Sequence, residues 1–259
     1  MPFRVWHAAS RIPMLISRQE RVGDADMSIL TGTIEALASA TGSFVLGHFI
    51  LSSLPVRSAL IGSIGEGPFR IVYSSLAALA LFWTIAAFGA APYMDVWTPP
   101  PGMRHLTFLL VLIGVFFVVV GVTTKSPTAV GGDKLANDPQ PLGGILTVTR
   151  HPFLIGVIVW AIGHLLANGD LASIILFGGM LILAAGGIFH IDMRRRHTMG
   201  AAWGPIALST SVIPFLAILQ RRTRLDWRGI GLSRVVLALA IYAALAYGHQ
   251  WFAGVPLVG

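Results

Sequence analysis

A chain of 259 residues is long enough for one compact domain or two small ones. Apolar residues make up 55% of it and charged residues only 11%, with a mean hydropathy of +0.76, which argues against a soluble globular domain. The formal charge of +7 reads as basic cytoplasmic loops and not as a nucleic-acid surface, and the absence of cysteine excludes disulfides, thiolate metal ligation and cysteine nucleophiles.

Residues 1–27 carry four arginines and lack the apolar centre of a secretory signal. "MSILTG" at Met27 reads as a better start, so this stretch is expected to be a mobile or interfacial segment or the product of an upstream start, with 28–259 as the membrane domain. Six runs then approach the ~20 apolar residues that cross a bilayer. They lie at about Ile29–Ser52, Ile71–Tyr93, Leu106–Thr124, Pro152–Ala167, Leu171–Ile191 and Val235–Phe252. Each is expected to be a helix, because no other lone segment satisfies its own backbone in lipid. The predicted fold is an all-α polytopic transmembrane bundle of about six spans.

Pro152 suits the first turn of span four, and "ANGD" (Ala167–Asp170) reads as a tight turn joining spans four and five. "SVIPFLAIL" (Ser211–Leu219) is apolar but too short to cross, so it is expected to lie in the interface or dip in as a half-helix. Of the fourteen Lys and Arg residues after Arg21, thirteen fall in three alternate loops and only Arg104 in the others. The basic loops are therefore expected to be cytoplasmic and both termini periplasmic, in a bacterial inner membrane with lipid as the surrounding partner.

That orientation sorts the polar residues of the spans by depth. His48, Arg150, His151, His190 and Asp192 form a cytoplasmic layer, and Glu35 and His164 an outer one. Two histidines at one depth on two helices, His48 and His190, are what a haem between helices requires, with Arg150 or the run Arg194–Arg196 beside its propionates. The same histidines could instead bond helix carbonyls or interfacial water, and the arginines could be plain lipid anchors. His164, one turn after Trp160, reads as a packed histidine bonded to Glu35.

"GHFILSSLPVRSALIGSIGEGPFRIVYSSLAALAL" (Gly47–Leu81), "TRHPFLIGVIVWAIGHLLANGDLASIILFGG" (Thr149–Gly179) and "SVIPF" (Ser211–Phe215) resemble the NnrU family of bacterial membrane proteins. That family is associated with nitrogen-oxide respiration and is related to plant 15-cis-zeta-carotene isomerase, a haem b membrane enzyme with histidine ligation. The resemblance implies haem b as cofactor, His48 as an axial ligand, and a polyene or other hydrophobic substrate. His190 stands at the depth of the isomerase's second histidine but a few residues later. "RHPFLIG" also resembles the isoprenylcysteine carboxyl methyltransferases, which would place a nucleotide cofactor on Arg150 and His151, although the tyrosines that close that site are missing. A non-catalytic assembly subunit is the third alternative.

Overall fold

Thr33 opens the first span: its Oγ1 accepts the Ala36 N–H at 3.0 Å, satisfying one of the donors a helix start leaves free. The computed structural model describes residues 30–128, 142–255 and 257, so the leading segment 1–27 and Lys134 lie outside the described residues. Helix α1 (Ile34–Ser52) ends at Ser53, and Pro55 then starts α2 (Leu54–Ile64). The remaining helices are α3 (Glu66–Ala90), α4 (Met103–Thr123), α5 (Pro152–Ala167), α6 (Leu171–Met199), α7 (Trp203–Ser209), α8 (Leu216–Leu219), α9 (Trp227–Ile230) and α10 (Leu232–Ala253). All six predicted spans are helices. Five of them, α1, α3, α4, α6 and α10, are long and apolar enough to cross a membrane. At 16 residues, α5 reaches ~24 Å. The chain is a multi-pass membrane protein.

Helix α2 is an addition to the predicted plan, which gave this stretch to a loop. A first-turn proline and ten further residues suffice for three turns, and none of them is buried. The spans pack in a row: α3 against α1, α1 against α6, α6 against α5, α5 against α4, and α4 against α10. The two end helices, α3 and α10, bury little of themselves and present Ile71, Leu79, Phe82, Leu232 and Leu239 outward, as lipid-facing helices do.

Close approach within the row is made by small residues, the usual device where lipid removes the hydrophobic drive between helices. A Cβ on Gly156 of α5 would lie 2.7 Å from the Gly114 carbonyl of α4, and one on Gly186 of α6 would lie 2.5 Å from the Phe49 ring of α1. At the outer end, Asp170 caps α6 by accepting the Ser173 N–H at 2.9 Å, and the "ANGD" turn is held by Asn168 donating to the His164 carbonyl at 2.8 Å.

The basic face is built from segments that hydropathy alone marks as loop. A 3-10 turn at Gly144–Thr147 is buried, and Ile145 and Val148 join Phe117, Val120, Ile155, Ile188 and Ile230 in the main apolar cluster. Of "SVIPFLAIL" only Leu216–Leu219 is helical, so "SVIPF" itself does not take the half-helix alternative. It is an irregular strap tied to "TRHP": Arg150 donates its N–H to the Ser211 carbonyl at 2.9 Å, Phe215 donates to the Val148 carbonyl at 2.9 Å, and Thr149 Oγ1 donates to the Val212 carbonyl at 2.8 Å. Its backbone polar groups find partners in that strap, so they need no helix.

Asp226 fastens the buried turn to α9, accepting the Gly144 N–H at 2.7 Å and the Gly229 N–H at 2.9 Å. Those donors, Gly144 first, hold its carboxyl below the usual aspartate range. The folded pKa is lowered, so the stabilisation is complete above the ordinary value of about 3.9 and is lost as pH falls through the folded value. Asp226→Ala should therefore lower the melting temperature at pH 7, by the equivalent of about 1 kcal/mol. The gap to the native chain should narrow in melts near the lower limit of acid stability, and a gap independent of pH would contradict this role.

Candidate functional site

Two polar constellations stand at the basic end of the bundle. In the first, "RHP" meets α6. Arg150 donates from Nε to Asp192 Oδ2 at 2.9 Å and from Nη2 to the same oxygen at 2.5 Å, and His151 Nε2 donates to Asp192 Oδ1 at 2.7 Å. The His151 side chain is 1% exposed and that of Arg150 15%. The Arg150 guanidinium also lies 5.8 Å from the Trp203 ring centroid. Both Asp192 oxygens are occupied, and Arg150 spends two donors on them. The arrangement is a charge lock joining the start of α5 to the end of α6.

The second constellation surrounds His48. Its Nδ1 lies 2.7 Å from the Phe44 carbonyl, and since a carbonyl only accepts, Nδ1 carries the proton. In the tautomer with the proton on Nδ1, Nε2 keeps its lone pair. This second-atom anchoring is the usual way a protein orients an imidazole toward a metal. The ring packs edge-on against Phe44 and Tyr73, at centroid distances of 4.5 Å and 5.6 Å. It lines a groove of about 240 Å³ between α1 and α3, with Gly47, Leu51, Leu76, Ala77 and Ala80 among the other walls. Leu76 remains half exposed, so the groove opens sideways to lipid.

His190 does not line this groove. Its Nδ1 is 3.2 Å from Ser52 Oγ, and its ring is 5.3 Å from Phe49. At 100° per residue, Ser52 lies one turn beyond His48 and about 40° round α1 from it, and Phe49 about 100° round, so His190 meets the sector of α1 next to the groove. His190 thus stands about one turn along from His48 on the neighbouring helix, outside the residues that line the groove. Among the described residues no group of three or more His, Asp or Glu side chains forms a metal-binding cluster.

In the outer layer His164 is packed as expected, stacked on Phe177 at 4.5 Å and 4.7 Å from the Trp160 ring. Its partner is corrected: Nδ1 donates to the Trp160 carbonyl at 2.9 Å, one turn back in its own helix, and not to Glu35. Glu35 is exposed beside Thr33, Pro92 and Met94. Tyr73 escaped the sequence reading. The signal was available, as a lone tyrosine early in an otherwise apolar span at the depth of His48.

The sequence profile described as "NnrU protein" matches residues 36–257, from the first span to the end of the last. The chain belongs to the NnrU family. Among curated proteins, this NnrU protein is similar to 15-cis-zeta-carotene isomerase, chloroplastic, from Zea mays, with 25% identity over 218 residues, 78% of this chain and 58% of the relative. It is similar to the Arabidopsis thaliana protein of that name as well, with 26% identity over 208 residues, 73% of this chain and 54% of the relative. The chain thus spans little more than half the length of the curated relatives it matches. No solved structure matches it.

Proposed function

We propose that this NnrU-family protein binds haem b through His48 and isomerises a cis double bond in a hydrophobic polyene. The observation that carries the reading is the His48 imidazole, its Nδ1 held 2.7 Å from the Phe44 carbonyl, in an apolar groove that opens to lipid. The residues that would hold the group are the anchored His48 imidazole, small side chains at Gly47, Ala77 and Ala80 for close approach, and the aromatic edges of Phe44 and Tyr73. When bound, a haem iron would supply redox-active coordination chemistry able to loosen a C=C bond. The chain itself holds the ring orientation, excludes water with Leu51 and Leu76, and admits a membrane-dissolved substrate from the side. The isomerase named among the relatives supports the choice of substrate class.

We assign His48, and not His190, as the protein ligand, since His190 is not among the residues that line the groove and its Nδ1 is engaged by Ser52 Oγ. The haem-replete protein in detergent should convert a 15-cis polyene to its trans form, followed by chromatography and by the absorption spectrum. His190→Ala should keep both haem and conversion. Loss of haem in His190→Ala would restore a two-histidine site, and no conversion by haem-loaded protein would remove the isomerase reading.

A further inference from the structure

Just beyond the His48 groove, toward the basic face, three helices bring arginines together. Arg57 of α2 lies 5.0 Å from the Phe69 ring centroid and 3.4 Å from Glu66. Glu66 is already shared, since Arg70 reaches the same oxygen at 2.8 Å. On α6, Arg194 stands one turn after His190, whose contact with Ser52 sets that face of α6 against the corner between α1 and α2. Arg194 is half-buried, within electrostatic reach of Arg57 and Tyr73, and no carboxylate pairs with it among the described residues. The nearest acid on its own helix, Asp192, is saturated by Arg150 and His151. Arg57 and Arg194 thus stand on neighbouring elements at the end of a lipid-open groove, and the carboxylate of Glu66 is divided between Arg57 and Arg70. An anion bridging the two guanidiniums would offset their mutual repulsion.

We propose that Arg57 and Arg194 clamp the phosphate of an acidic phospholipid, whose acyl chain follows the apolar wall of α3 past Tyr73. The position suits this ligand: the arginines stand at the water-facing end of α3 and α6, and the exposed Ile71, Val72 and Leu76 lie along α3 below them. A forked guanidinium matches a phosphate diester better than a point charge does. The clamp is independent of the haem reading, because neither arginine touches His48.

The test is bound-lipid analysis of the full chain in nanodiscs of mixed phosphatidylglycerol and phosphatidylcholine. The native protein should retain phosphatidylglycerol selectively through detergent exchange, and R57Q/R194Q should lose that selectivity by about tenfold. R224Q/R228Q, with the same change in net charge at two exposed positions, should retain it. Equal selectivity in all three proteins would overturn the proposal in favour of diffuse charge attraction. Displacement of the lipid by millimolar inorganic phosphate would overturn it in favour of a site for soluble anions. Loss of haem with lipid selectivity intact would overturn it in favour of a contact to haem carboxylates. If R57Q/R194Q does not fold, R57K/R194K keeps the charge and removes the fork. It should lose selectivity several-fold, and full retention would refute the clamp.

Discussion

Asp192→Ala is expected to be among the most destabilising single changes in the chain. It removes the acceptor for two Arg150 bonds and the His151 bond at once. A guanidinium 15% exposed and an imidazole 1% exposed would be left without their counter-charge. Breaking a buried ion pair by deleting one partner costs about 3–5 kcal/mol, most of it the penalty of the stranded charge. The melting temperature in detergent should fall sharply, while Asp192→Asn, which keeps one acceptor oxygen for Arg150, should fall by less. A double-mutant cycle with Arg150→Ala should recover a large coupling energy. A melting temperature unchanged by Asp192→Ala would mean that the lock contributes nothing and that Arg150 is free for another ligand.

The second large effect is expected at Gly156. Its absent side chain lets α5 lie against α4, and a Cβ there would stand 2.7 Å from the Gly114 carbonyl and from the Val118 backbone N. Backbone cannot swing aside as a side-chain end can, so Gly156→Ala should separate the helices and cost about 1–3 kcal/mol. Gly178 of α6 has open space where its Cβ would be, so Gly178→Ala is the matched control. That change should be neutral or stabilising by up to about 1 kcal/mol, since alanine favours helix over glycine. Opposite signs in the two melts are the expected result. Equal effects would show that the close approach of α4 and α5 contributes no stability.

Depth was legible in the sequence and rotation was not. The apolar runs fixed six helices, and the polar residues within them fell at the levels predicted: Arg150, His151 and Asp192 do meet at the basic end. Hydrophobic periodicity, however, reports which face of a helix is buried only when the other face is polar. Before His48 and His190 the spans α1 and α6 are apolar on nearly every face, so nothing in their pattern told that His48 turns to Tyr73 of α3 while Phe49 turns to His190. The glycines carried some of that information. Gly114 and Gly121, Gly156 and Gly163, and Gly179 and Gly186 are each seven residues apart, two turns on one face, and each face is a packing face. The "TRHP" and "SVIPF" segments were legible as motifs but not as partners, because two of the three hydrogen bonds joining them use backbone groups on both sides, which any sequence supplies, and the third meets Thr149 Oγ1 with a backbone carbonyl. His164 shows the same limit: a packed role was readable, but its partner is the carbonyl of its own helix and not Glu35.

The central claim is that the Nε2 lone pair of His48 is the protein's ligand to haem b. The visible spectrum of the protein purified after haem-replete expression tests it most directly, with native, His48→Ala and His164→Ala chains compared at equal folded yield. The account predicts a Soret band in the native chain and in His164→Ala, whose ring is stacked on Phe177 at the other end of the bundle, and its loss in His48→Ala. A Soret band of full intensity in folded His48→Ala, or none in the native protein, would contradict it.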